Sequence, residues 1–218
     1  MKTLNLILKR IFDIIASAVF LIILLPVMIA VALIIKFTSK GPVFFNQIRI
    51  GKDKKEFKMF KFRTMIVEQF DSDGNEIMSE NRITKVGKWL RKLSLDELPQ
   101  LLNILNGTMS IIGPRPMLDY QAPRCIGEEN LRFEMRPGLT GYAQIKGRNN
   151  IIWEERIQYD IEYVKNYTFW LDIVILFKTV LLVFKKSGTD VKPDYRGVSR
   201  FSKHYVEEAK NEVEISNY

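Results

Sequence analysis

The chain has one cysteine, Cys125, and one histidine, His204, in 218 residues. A single cysteine excludes an internal disulfide, and no Cys/His cluster exists to hold a structural zinc. A Ser-His-Asp or Cys-His site would have to use His204, close to a polar C-terminus and a poor place for a buried base. Repeats and low-complexity tracts are also missing. Any catalysis therefore falls to carboxylates, lysine and arginine. These are unbalanced: 33 Lys and Arg against 25 Asp and Glu give a net charge of +8 and a pI near 9.5. The favoured partners are anions, whether phosphates, anionic lipid or acidic metabolites. Nucleic acid would suit the charge, but no recognisable binding motif accompanies it.

Apolar residues are concentrated rather than spread. Ile14 to Ile35 is an apolar run interrupted only by Ser17 and Pro26. A run of roughly 20 residues is long enough to cross a bilayer as a helix, and longer than the h-region of a cleaved signal, about 7–15 residues. Pro26 lies near its middle, where it removes a backbone donor and kinks a helix. Basic residues flank both ends: Lys2, Lys9 and Arg10 before, and Lys36, Lys40, Arg49, Lys52, Lys54 and Lys55 after. Lys and Arg mark the cytoplasmic side, so both ends favour the same face. The pattern favours a helix-break-helix that dips in and returns over a single kinked span.

Beyond the Lys40-Gly41-Pro42 turn, Val43 to Ile50 and Phe57 to Met65 are rich in aromatic and β-branched residues and read as adjacent strands. Lys61 and Arg63 share a face of the second by the period of two. Thr84 caps a helix running to about Leu93, and a second helix is expected from Ser94 to about Leu105. Leu118 to Met135 reads as partly helical, and Ile151 to Tyr167 as a helix. Phe169 to Phe184 is short for a span and fits equally a core helix or one lying in the headgroups. After Gly188 the tail is polar and is expected to be loosely ordered.

The most informative stretch is Arg91-Lys-Leu-Ser-Leu-Asp-Glu-Leu-Pro-Gln100. Pro99 belongs in a helix's first turn, where its missing N–H costs nothing. Ser94 and Glu97 have the spacing of a capping box. A helix N-terminus favours an anion, so Asp96 is expected to stay ionised and usable as a nucleophile. On composition alone, Ser94, Asp96 and Glu97 read more readily as a plain cap, since acidic first turns are routine. Basic residues accompany them in loops and on the second strand: Lys61, Arg63, Arg91, Arg115 and Arg148. Arg115 is stiffened by Pro114 and Pro116, and Arg148 follows Gly147. Each alone reads as a surface charge. Together with an acidic pair and a membrane element they suggest a diphosphate substrate handled at a bilayer face, with a Mg²⁺ ion neutralising the diphosphate.

The motifs occur in a telling order: Lys9-Arg10-Ile-Phe-Asp13, the apolar segment with Pro26, Gly41-Pro42-Val43, Phe60-Lys61-Phe62-Arg63-Thr64-Met65, Leu93-Ser94-Leu-Asp96-Glu97-Leu98-Pro99-Gln100-Leu101, Asn103 with Gly107, Ser110-Ile-Ile-Gly-Pro-Arg-Pro116, Arg136-Pro-Gly-Leu-Thr-Gly141 and Gln144-Ile-Lys-Gly-Arg148. In this the chain resembles the bacterial sugar transferases, specifically the small monotopic phosphoglycosyl transferases that begin glycan assembly on undecaprenyl phosphate. Gly147 to Glu155 and Tyr159 to Leu171 look most like the initiating enzyme of bacterial protein N-glycosylation.

The resemblance implies transfer of a phospho-sugar from a UDP-sugar donor to the polyprenol phosphate acceptor, with release of UMP. Asp96 would be the nucleophile of a covalent phospho-sugar aspartate, and Glu97, its partner in the dyad, would orient or activate groups around the Mg²⁺. Either carboxylate fits as the Mg²⁺ ligand, and Asp96 is the one chosen here. Lys61, Arg63, Arg91, Arg115 and Arg148 would bind substrate, and Pro26 would break the membrane helix. Leu25 stands where some members have a serine before that proline, which bears on the geometry of the break.

The expected fold is α/β, mostly α: a membrane-associated globular domain with an N-terminal re-entrant, Pro-kinked helix and interfacial amphipathic helices. Residues 1–38 would form the membrane element, 39–190 the catalytic domain on the cytoplasmic face of the bacterial inner membrane, and 191–218 a polar tail. Downstream glycosyltransferases would consume the product. The competing reading is a non-enzymatic basic protein that binds membrane surfaces.

Overall fold

In the computed structural model, which describes residues 2–67, 81–147, 151–184 and 201, the apolar run lies in one α-helix, α1 (Lys2–Thr38), of 37 residues. The helix continues through Pro26 as a single element, so the helix-break-helix is not seen as two helices. By length and composition α1 is able to cross a membrane, and only 17% of its most apolar window is buried. Ile22 and Phe37 are 74% and 83% exposed. Its buried side chains are few and patterned. Met28, Val31 and Ile35 recur at the spacing of one helical face.

After α1 come two strands, β1 (Phe44–Ile50) and β2 (Glu56–Phe62), which form a two-stranded sheet. They replace the expected strands to within two residues at most ends; Arg63 and Thr64 fall just past the end of β2. The chain as a whole divides into two compact units that interleave along the sequence: residues 1–11, 48–57 and 108–218, and residues 12–47 and 58–107.

In the unit of residues 12–47 and 58–107, Met28, Val31 and Ile35 form a core with Phe62 and Leu90. Helix α2 (Lys85–Lys92) starts as expected at Thr84, whose hydroxyl accepts from Gly87 N at 2.8 Å. Position 87 has no room for a side chain: a Cβ there would lie 2.0 Å from the Thr64 carbonyl oxygen. α2 is capped at its C-terminal end by Leu93, and Ser94 follows in the left-handed region at φ 56°. A left-handed residue just past a helix is a common way to end it. Ser94 therefore terminates α2 instead of capping the next helix, and its side chain makes no cap hydrogen bond. The expected Ser94–Glu97 capping box is not formed. The expected helix of residues 94–105 is correspondingly divided into a single 3₁₀ turn, Leu95–Glu97, and a short helix α3 (Gln100–Leu105) that starts after Pro99.

In the unit of residues 1–11, 48–57 and 108–218, β3 (Ser110–Ile112) and β4 (Gly138–Thr140) pair in parallel, Ser110 opposite Gly138 and Ile112 opposite Thr140. Backbones meet there without side chains between them. A Cβ on Gly138 would lie 2.1 Å from Gly113 N, and one on Gly113 would lie 2.3 Å from Arg136 O. Those glycines lock the Gly-Pro-Arg-Pro loop to the Arg-Pro-Gly loop. Three helices follow: α4 (Tyr142–Gly147), α5 (Trp153–Lys165) and α6 (Phe169–Phe184). The partly helical stretch of residues 118–135 is realised as two 3₁₀ segments, Ala122–Arg124 and Gly127–Glu134.

The core of this unit gathers Ile50, Met117, Phe133, Ile157 and Ile161. Phe201, from the segment expected to be a loose polar tail, is also fully buried in that core. Its carbonyl accepts from Gln121 Nε2 at 3.1 Å. α6 has two faces: Asp172 and Ile175 are buried, while Trp170, Phe177, Val180 and Leu181 are exposed.

Candidate active site

The acidic pair is placed by a side chain that imitates a strand. Asn103 on α3 accepts from Phe60 N at 2.9 Å through Oδ1 and donates to Lys58 O at 2.7 Å through Nδ2. Both groups of its amide thus bond β2, which fixes α3 and the turn before it against that strand. Lys61, the next residue along β2, then bonds Glu97 Oε1 at 2.7 Å, with both side chains partly exposed. Asp96 is buried at 8% exposure.

Burial raises the Asp96 carboxyl above its ordinary 3.8, and the neighbouring charge of Glu97 raises it further. Lys61, Arg91 and the backbone N–H of Asp96 pull it back down. Asp96 sits in a one-turn 3₁₀ segment and not at the start of α3, and its carboxyl is raised overall. The cations and that backbone N–H oppose the rise without cancelling it. Arg91 is itself fixed, its Nε donating to Thr64 Oγ1 at 2.9 Å. Asp96, Glu97, Lys61 and Arg91 are thus brought together.

Arg63 has a different place. It is 6% exposed. Its Nη2 donates to Ser39 O at 2.9 Å and Ser39 Oγ at 2.8 Å, and its Nη1 to Lys40 O. Those carbonyls lie just past the last turn of α1, so the guanidinium caps the end of that helix. Arg148 lies outside the described residues.

Arg115 belongs to the unit of residues 1–11, 48–57 and 108–218 and is exposed, between buried Pro114 and Pro116. Its carbonyl accepts from Arg132 Nη2 at 2.8 Å, and the same nitrogen bonds Asp160 Oδ2 at 2.6 Å. Arg132 and Asp160 are both almost fully buried. Burial raises the Asp160 carboxyl, opposed first by Arg132. Arg156 is lowered to about 10, first by burial and then by the charge of Arg115. A second buried pair joins Lys9 Nζ to Asp172 Oδ2 at 2.8 Å, with Tyr163 donating its hydroxyl to Asp172 Oδ1 at 2.7 Å and Lys9 also donating to Ile112 O.

Sequence reading passed over Thr64, Arg132 and Asp160 as site residues. Asp160 did leave a trace. It sits on the same face of α5 as Ile157, Ile161 and Val164, where a carboxylate is out of place unless it is paired.

This arrangement can be set beside known proteins. Residues 4–186 match the family model for bacterial sugar transferases. The uncharacterized sugar transferase EpsL of Bacillus subtilis is 46% identical, over 84% of this chain and 90% of that protein. A UDP-glucose:undecaprenyl-phosphate glucose-1-phosphate transferase of Klebsiella pneumoniae is 43% identical over 83% of this chain, and the undecaprenyl-phosphate galactose phosphotransferase of Salmonella typhimurium 39% over 83%. The aligned part makes up only 41% of each of those two longer proteins. None of these three names points to the initiating enzyme of protein N-glycosylation, so that narrower resemblance gains no support from them. An acidic pair ringed by lysine and arginine, a long apolar helix and a match over nearly the whole described chain agree on one conclusion: this chain is an enzyme and belongs to the bacterial sugar transferase family.

Proposed function

We propose that the chain is a phosphoglycosyl transferase that moves a sugar 1-phosphate from a UDP-sugar to undecaprenyl phosphate, the first membrane step of glycan assembly. The observation that carries this reading is Asp96: a buried carboxylate beside Glu97, raised by burial and by Glu97 and opposed by the nearby charges of Lys61 and Arg91. The Klebsiella pneumoniae and Salmonella typhimurium relatives are named for transfer to undecaprenyl phosphate.

In the first step an Asp96 carboxylate oxygen bonds the β-phosphorus of the donor. The bond from that phosphorus to the bridging oxygen breaks, and UMP leaves with the electron pair. In the second step a phosphate oxygen of the polyprenol phosphate bonds the same phosphorus, and Asp96 departs as carboxylate. The product is a polyprenol diphosphate sugar, the substrate for downstream glycosyltransferases. Partial burial limits competition from water. Lys61 keeps Glu97 oriented, and Lys61 and Arg91 offer positive charge to the phosphates. The resemblance alone assigns Arg115, in the other unit, to phosphate binding. Arg63, occupied at the end of α1, acts on the substrate only through the frame it maintains.

Among the described residues, no three His, Cys, Asp or Glu side chains gather into a metal cage. Mg²⁺ does not need one, because it binds through one or two carboxylates together with substrate phosphates and water. The like-charge repulsion between Asp96 and Glu97 is what a cation would relieve, so the residues fit, with Asp96 as ligand and Glu97 beside it. Bound there, Mg²⁺ would neutralise diphosphate charge and act as a Lewis acid.

The membrane element in this reading is re-entrant. Basic flanks at both ends of α1 and Pro26 within it support that, and the catalytic residues then lie on the cytoplasmic face of the bacterial inner membrane. The exposed apolar face of α6 suits the headgroup layer. Cysteines introduced at Asn5 and Lys40 would both be labelled from the cytoplasmic side; labelling from opposite sides would establish a span.

The test of function is UMP release by the full chain in detergent with Mg²⁺, undecaprenyl phosphate and a panel of UDP-sugars that includes UDP-glucose, UDP-galactose and UDP-diacetamidobacillosamine. Release that disappears in Asp96→Asn supports the reading, and the active sugar names the donor. Folded protein that releases no UMP from any donor overturns it. Trapping of a phospho-sugar on Asp96 separates the two-step route from direct attack by the lipid phosphate.

A further inference from the structure

The loop that carries Arg115 is held more firmly than an ordinary surface loop. Successive carbonyls from Pro114 to Met117 each meet a donor. Pro114 O accepts from Gly138 N at 2.9 Å, Arg115 O from Arg132 Nη2 at 2.8 Å, Pro116 O from Arg49 Nη1 at 3.3 Å, and Met117 O from Ile50 N at 2.9 Å. Gly113, Pro114, Pro116 and Met117 are buried, and Arg115 between them is exposed. The two prolines fix their own φ angles and remove two donors from the loop. The backbone is thus nearly immobile at the one position whose side chain reaches outward.

The Arg132–Asp160 pair is costly for mere core filling. Both side chains are 1% exposed, and desolvating two charges costs several kcal/mol per ion, which apolar residues of similar volume would avoid. The pair is also not arranged for its own sake. A guanidinium and a carboxylate satisfy each other best through two parallel bonds. Here Arg132 uses the single nitrogen Nη2 for both Asp160 Oδ2 and the Arg115 carbonyl. Arg132 Nε and Nη1 and Asp160 Oδ1 have no hydrogen-bond partner. The bond geometry has been spent on the loop.

We propose that Arg132 and Asp160 are positioning residues for Arg115. Asp160 aims the guanidinium of Arg132, and that guanidinium pins the backbone of Arg115 so that its side chain meets the donor's diphosphate already oriented. Phosphate binding gains from such preorganisation because no side-chain or loop ordering is left to be done on binding. The inference rests on the reading of Arg115 as a phosphate contact.

The experiment is calorimetric titration of UDP, the portion common to every UDP-sugar, into the full chain in detergent with Mg²⁺. Four proteins are compared: wild type, Arg115→Ala, the double variant Arg132→Met/Asp160→Leu, and the triple combination. The double variant replaces the ion pair with apolar side chains, so its melting temperature is expected to hold. UDP binding in it should weaken roughly 10- to 100-fold, the scale of a misplaced contact. On the Arg115→Ala background the same pair of changes should cost nothing further, because the contact they position is already gone.

Wild-type affinity in the double variant overturns the proposal. So do losses that multiply in the triple variant, which would mean the pair acts on binding by another route. Unchanged UDP binding in Arg115→Ala removes Arg115 from the phosphate site and takes the positioning role with it, a result recognisable because Arg115 itself then has no effect. If the double variant does not fold, Arg132→Lys decides the question. It keeps the charge opposite Asp160, but its ammonium falls short of the Nη2 position. Weakened UDP binding in Arg132→Lys supports the pinning role, and unchanged binding refutes it.

Discussion

Lys61 Nζ lies 2.7 Å from Glu97 Oε1, and the same ammonium lowers the carboxyl of the adjacent Asp96. One cation thus serves two neighbouring carboxylates in different ways, by direct bond and through space. The arrangement makes the pH dependence of turnover a reporter on each partner.

If Asp96 is the nucleophile proposed above, it must be ionised; burial and Glu97 raise its pKa, so activity is expected to fall as pH drops through that raised value. Lys61→Met removes a lowering charge and should move the acidic limb of the kcat/KM profile to higher pH. Arg91→Met should do the same, by less, since its lowering effect ranks after that of Lys61. Glu97→Gln removes a raising charge and should move the limb down, whatever it does to the maximal rate. UMP release across about pH 5–9 reads all three shifts. An acidic limb that stays put in Lys61→Met would show that Asp96 does not govern it.

Ser94 holds a positive φ of 56° without a glycine's freedom. A left-handed residue other than glycine costs about 1–2 kcal/mol. Ser94→Gly should therefore raise stability by about 1 kcal/mol after the loss of chain entropy in the unfolded state is counted. Thermal unfolding measures it. A lower melting temperature would mean the serine side chain contributes more than its backbone angle costs.

Gly138→Ala should destabilise the chain by about 1–3 kcal/mol, the usual cost of forcing an atom into a packed site. The new methyl would meet Gly113 N at 2.1 Å, and neither backbone has a flexible side chain to move aside. Melting temperatures of the two proteins in the same detergent decide this; an unchanged value would contradict the close approach.

Lys9→Met removes the counter-charge of the Asp172 carboxylate, which is 1% exposed and keeps its bond from Tyr163. Removing one member of a buried ion pair costs about 3–5 kcal/mol. Lys9→Met/Asp172→Leu should recover most of that loss, because no unpaired charge then remains. Denaturant unfolding of the single and double variants makes the comparison. Equal losses in the two would show that packing, not charge, is at stake.

The sequence was most legible where a residue's effect is local. Thr84 before an apolar period announces α2, Pro99 announces the start of α3, and the acidic pair stands out inside its motif. Ser94 misleads because S-x-x-E describes both a capping box and a helix exit followed by a turn; only the φ angle chosen by the end of α2 separates them. Arg63 misleads for a similar reason. Strand periodicity places it on the face of Lys61, but β2 stops at Phe62 and the side chain turns to the carbonyls past α1. Arg132 and Asp160 are 28 residues apart, and no periodicity couples two positions on different elements. What can be read is only the oddity of a carboxylate on the apolar face of α5.

The bond from Lys9 to Asp172 changes what kind of attachment the long apolar helix α1 can be. An anchor joined by a linker could be cut away to leave a soluble enzyme. Here the first turns of the apolar helix supply the counter-charge for an acid buried in α6, hold the end of β3 through the Ile112 carbonyl, and accept a bond from Tyr167 at the carbonyl of Asn5. Trimming that helix would remove part of the interior, so solubilising this enzyme is a matter of covering its helix, not deleting it.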